Sequence, residues 1–98
     1  MIQRDGTSLT IFAEGRIDTN AAPHFAAEME KALPGVTDLT VDCAKLEYIS
    51  SSGLRALMLA VKTMAAQGDM RIINMNEDIY DILEATGFTG VCDVETNY

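Results

Sequence analysis

The side chains best placed to do chemistry in this 98-residue chain are three consecutive hydroxyls, Ser50, Ser51 and Ser52, followed by Gly53 and a helix-patterned run. Serines ahead of a helix ordinarily act as caps, one side-chain oxygen accepting a free backbone N–H. A cap uses one hydroxyl, and here there are three plus a glycine. A helix N-terminus also favours negative charge. A serine there is therefore a candidate phosphorylation site, because a phosphate of about −2 charge would meet unpaired N–H groups. Gly53, lacking a Cβ, reads as a point where another chain's backbone can come close.

Other chemistry is sparse. His24 is the one imidazole, with no cysteine or second histidine at ligand spacing, so no metal site is expected. A Ser–His pair would have to use His24. There is no Gly-rich phosphate loop and no Gly-x-Ser-x-Gly elbow. The expectation is a protein that is not an enzyme and holds no cofactor. Cys43 and Cys92 each sit beside apolar residues in β-patterned stretches. They read as small buried thiols in a reducing compartment. The start Met1-Ile2-Gln3-Arg4-Asp5-Gly6 has no basic-then-apolar pattern, and no apolar run reaches the ~20 residues of a membrane span. A cytoplasmic protein without membrane insertion is expected. The net charge of −8 argues against nucleic acid as a partner.

The elements that must position the serines alternate. Ile2–Arg4 and Ser8–Glu14 read as a strand pair turning at Asp5-Gly6. A helix then runs from a cap at Thr19 or Asn20, with Pro23 in its first turn, to a stop at Pro34-Gly35. Thr37–Cys43 alternates as a strand, and Ala44–Ile49 reads as a connection to the serines. A second helix from about Ser52 to Gln67 has an apolar face of Leu54, Leu57, Met58, Val61, Met64 and Ala65, and Gly68 closes it. Met70–Met75 reads as a buried strand, Asn76 caps a third helix, Gly87 ends it, and Val91–Glu95 is a last strand. The order β-β-α-β-α-β-α-β predicts one α/β domain over residues 1–98, a mixed sheet of about four to five strands covered by helices.

Arg55, Leu59, Lys62 and Ala66 share a face of the second helix turned away from its apolar stripe. An outward leucine between two cations, next to the serines, makes a docking face for an acidic groove. The contact residues read from it are Ser51, Gly53, Arg55, Leu59 and Lys62.

Ile49-Ser50-Ser51-Ser52-Gly53-Leu54 resembles the phosphorylation motif of STAS-domain anti-sigma factor antagonists, commonly Ile-Asp-Ser-Ser-Gly-Leu. Gly15-Arg16-Ile17-Asp18 resembles that family's Gly-x-Leu/Ile-Asp motif. Leu39-Thr40-Val41-Asp42, Asn74-Met75-Asn76 and Leu83-Glu84-Ala85-Thr86-Gly87-Phe88 resemble its later segments in the same order. The resemblance implies the STAS fold and a protein-interaction switch. Such a domain binds an anti-sigma factor that is also a serine kinase, with ATP held by that partner, and so frees a sigma factor. Phosphorylation breaks the complex and a serine phosphatase restores it. The resemblance places the phosphate on Ser51, with Ser50 and Ser52 behind it, and Asp18 near the phosphorylation site; with the helix face added, the expected partner surface is Asp18, Ser50, Ser52, Gly53, Arg55, Leu59 and Lys62. Ser50 stands where the family has an aspartate, which removes a carboxylate beside the acceptor and lessens repulsion of a phosphate. Asp18 also reads simply as a carboxylate ahead of a helix. The alternative is a STAS regulatory or accessory subunit of a transporter or signalling assembly, not phosphorylated. A response-regulator-type domain ranks below both, since the chain is short and lacks an acidic pair after its first strand.

Overall fold

Alternating apolar and polar residues build a five-stranded sheet in the order β1-β2-β3-β4-β5. The computed structural model describes residues 2–98; Met1, the first position of the expected N-terminal segment and domain, lies outside them. The strands are β1 (Ile2–Asp5), β2 (Ser8–Ile17), β3 (Asp38–Ile49), β4 (Asp69–Met75) and β5 (Asp93–Thr96). β1 runs antiparallel to β2, and the remaining neighbours are parallel. Helices α1 (Ala22–Ala32), α2 (Ser51–Gln67) and α3 (Glu77–Ala85) make the crossovers. A short 3-10 turn, Phe88–Gly90, precedes β5.

Each parallel connection steps in the same direction across the sheet. Right-handed crossovers then put every helix on one face. Burial agrees: Leu9, Ile11 and Ala13, Leu39, Val41 and Cys43, and Met70 and Ile72 join Met29, Leu57, Met64, Ile79 and Leu83 in one core cluster. The helices thus cover one face of the sheet. On the other face, Arg71 Nη1 donates to Asp38 Oδ1 at 2.8 Å and Thr40 Oγ1 at 3.0 Å, and Asn74 Nδ2 donates to Asp42 Oδ2 at 3.3 Å.

Several local expectations are corrected. The segment Ala44–Ile49 is not a connection but the second half of β3. Its register against β2 shifts between Phe12 and Glu14 and again between Gly15 and Arg16, each time adding a residue on β3. The buried residues there, Cys43, Leu46 and Ile49, consequently fall three apart rather than two. Neither Thr19 nor Asn20 caps α1; its cap position is Ala21, with no side-chain hydrogen bond. Gly68 is not left-handed, with φ 166. It is needed because a Cβ would collide with the Thr37 carbonyl oxygen. Gly87, at φ 89, is the left-handed stop expected after α3. The buried face of α2 is also turned: Ala56 and Ala60 are buried, Leu54 and Met58 half-buried, and Ala65 exposed. Two small residues there let α1 and α2 pack closely.

Candidate functional site

The two long parallel strands end side by side. Ile17, the last residue of β2, pairs with Ile49, the last of β3. The Ser50 N–H donates to the Ile17 carbonyl at 2.8 Å, and the chain then enters α2 without a loop. Both ends point to the carboxyl edge of the sheet, where open α/β sheets place their binding residues.

The three serines occupy three different environments. Ser50 is extended (φ −81, ψ 170) and is the N-cap; its Oγ accepts the Gly53 N–H at 3.2 Å and its carbonyl accepts the Leu54 N–H at 2.9 Å. It is 5% exposed. Ser51 is the first helical residue and is exposed, while Ser52 is half-buried. Cap chemistry therefore consumes Ser50 and leaves Ser51 presented to solvent.

Gly53 is buried, and its missing side chain serves the interior. A Cβ there would lie 2.7 Å from Ile49 Cγ1 and 2.9 Å from Ile17 Cγ2. The first turn of α2 thus rests directly on the ends of β2 and β3. The room left by the glycine is taken by this chain's own core, which corrects its reading as a place of approach for another chain.

Asp18 follows Ile17 as Ser50 follows Ile49, so strand pairing brings the two segments together. Its Oδ1 accepts the N–H groups of Asn20 at 3.0 Å and Ala21 at 2.9 Å. These satisfy backbone donors at the start of α1, the part assigned from sequence to Thr19 or Asn20.

Arg55, Leu59 and Lys62 are all exposed, Leu59 at 56%. A shallow groove of about 160 Å³ runs between Pro23 and Ala26 of α1 and Ser52, Arg55 and Leu59 of α2. Leu59 also lines a second groove of about 200 Å³ farther along the same helix pair; Lys62 lines neither.

Sequence reasoning missed one pair beside the serine turn. The Arg16 guanidinium lies over the Tyr48 ring, 4.5 Å from its centre. The two are register partners only because of the bulges in β3, so no sequence periodicity connects them.

His24 lines a separate cavity of about 450 Å³ between β2 and α1, which none of the three serines lines. Its Nε2 is 3.3 Å from Glu28 Oε1. Both cysteines are free. Burial, then the Asp42 charge, pushes the Cys43 thiol up to about 12, and burial followed by the Asp93 charge raises Cys92. No metal-binding cluster of His, Cys, Asp or Glu occurs among the described residues.

Residues 1–97 match the model of the STAS domain family. The chain belongs to the STAS domain family. It is 25% identical over 96 residues to the anti-sigma-B factor antagonist of Listeria monocytogenes, covering 95% of this chain and 83% of that one. Its fold is similar to that of the anti-sigma factor antagonist SpoIIAA in its unphosphorylated form, with a TM-score of 0.77 at 16% identity over 96% of this chain and 84% of the other. Against the phosphorylated form of the Bacillus cell fate determinant SpoIIAA, the TM-score is 0.76 at 16% identity, over 96% and 88%. The α/β architecture with a mixed five-stranded sheet is thus the STAS fold. No helix among the described residues is long and apolar enough to cross a membrane.

Proposed function

We propose that this STAS domain is an anti-sigma factor antagonist whose switch is Ser51. Unmodified, it binds a cytoplasmic anti-sigma factor that is also a serine kinase, and so frees a sigma factor. Phosphate on Ser51 breaks that complex, and a serine phosphatase restores it. The observation that carries this reading is the division of labour among the serines. Ser50 is buried and engaged as the cap, whereas Ser51 stands exposed at the first position of a 17-residue helix. The names of the relatives support the same reading.

The chain supplies the acceptor and the docking face. Ser51 Oγ attacks the γ-phosphorus of ATP bound by the partner. The new O–P bond forms as the β–γ bridge breaks, ADP leaves, and the hydroxyl proton passes to a base of the partner. Asp18, Ser52, Arg55, Leu59 and Lys62 form the surface around the acceptor, and Ser50 and Gly53 support it from beneath. A phosphate of about −2 charge at Ser51 would meet the same partner groups that accept Arg55 and Lys62, so repulsion and bulk act together.

The test is affinity capture of this chain from its native cells, with mass spectrometry of both bait and prey. An ATP-binding anti-sigma factor in the prey and a phosphate on Ser51 are expected. Transporter subunits in the prey, or a bait never phosphorylated, would overturn the proposal.

A further inference from the structure

Helix α2 is unusual in its charges. Over Ser51–Gln67 it carries Arg55 and Lys62 and no aspartate or glutamate. Arg55 therefore has no carboxylate to pair with on its own helix. Nor does it take part in either ion pair among the described residues, His24–Glu28 and Arg71–Asp38. The cap, Ser50, is neutral. The nearby carboxylate at Asp18 already accepts two backbone N–H groups through Oδ1. Arg55 is thus an exposed cation without a partner, one helical turn from Ser51.

That spacing is the one at which helical side chains meet. Residues i and i+4 have Cβ atoms about 5–6 Å apart, and long helical side chains lean toward the N-terminus of their helix. An arginine at position 55 can accordingly reach back toward a group on Ser51. Lys62, eleven residues on, is three turns away and out of reach.

We infer that a phosphate on Ser51 is captured within the chain by the Arg55 guanidinium. This rests on Ser51 being the modified residue and gives the modification a second effect. Besides adding negative charge, it withdraws from the docking face a cation one helical turn from the acceptor. The guanidinium fork matches phosphate oxygens in a bidentate manner, which a lysine does not. Ser50 favours the capture because its cap hydroxyl, unlike a carboxylate, neither repels the phosphate nor competes for Arg55.

The test uses the full chain with phosphoserine installed at position 51 during translation, so no kinase is needed. Thermal midpoints are compared in low salt for the unmodified and phosphorylated forms, each with Arg55 and with Arg55→Gln. Phosphoserine is expected to shift the midpoint upward by about 1–4 °C more with Arg55 present than with glutamine, and this difference should vanish in 1 M salt. The Arg55 Nε–Hε resonance is expected to move on phosphorylation. Equal midpoint shifts in the two backgrounds, with an unmoved Arg55 resonance, would overturn the capture. Absence of phosphate on Ser51 in native cells would instead defeat the switch reading, and the two failures are read in separate experiments.

Discussion

Gly53→Ala sets two known effects against each other at the base of the proposed switch. Alanine is favoured over glycine within a helix by about 1 kcal/mol. Against this, the added Cβ would lie 2.7 Å from Ile49 Cγ1 and 2.9 Å from Ile17 Cγ2. Both isoleucines are locked in the core, at 3% and 5% exposure. Neither can swing aside, so α2 must lift or the strand ends must shift. Overpacking of this kind costs about 1–3 kcal/mol. Packing should win, leaving the variant less stable by about 1 kcal/mol, a fall of roughly 4–8 °C in Tm for a domain of this size. The assay is urea unfolding, in which the midpoint drops while the slope m stays the same. Ile49→Ala removes the contacting Cγ1 and Cδ1. In that background Gly53→Ala should cost about 1 kcal/mol less than in the parent. A stabilising Gly53→Ala, or an equal cost in both backgrounds, would refute the view that the glycine exists to seat the helix on the strands.

Three further outcomes follow from the same geometry. Ser50→Ala deletes the oxygen that accepts the Gly53 N–H at a buried position, and should lower unfolding free energy by about 1–2 kcal/mol in chemical denaturation. Cys43 is held protonated, its thiol raised from 9.0 to about 12. The unfolded chain ionises it first, so its contribution to stability is complete below pH 9 and lost as pH rises toward 12, at up to about 1.4 kcal/mol per pH unit. Urea midpoints from pH 8 to 11 should fall less steeply in Cys43→Ala than in the parent. Leu59 is 56% exposed on the proposed docking face, so Leu59→Asp should leave Tm within a few degrees while weakening capture of the proposed anti-sigma factor partner by an order of magnitude or more.

Element order, the mixed sheet and the placing of the serines at a helix start were all legible in sequence, because alternation in β2 and the first half of β3 matches their pleat. The second half of β3 was not. Two bulges put Leu46 and Ile49 three residues apart, which breaks the period-2 signal. The same bulges hide the Arg16–Tyr48 pair, whose contact exists only in the shifted register. At the site itself, sequence grouped the three serines without separating them, since burial decides which one caps. Asp18 was legible as a carboxylate ahead of a helix, but its two backbone partners depend on how the chain turns after Ile17. The missing Cβ of Gly53 is visible in sequence but its neighbour is not, because the approach of Ile17 is a contact between distant segments.

The central claim is that an exposed Ser51, and not the buried Ser50, switches binding. The most direct measurement is calorimetric titration of the anti-sigma factor captured from native cells with two forms of the full chain, unmodified and carrying phosphoserine at position 51. Tight binding of the first and a loss of a hundredfold or more in the second is the expected result. Equal affinity of the two forms would contradict the account.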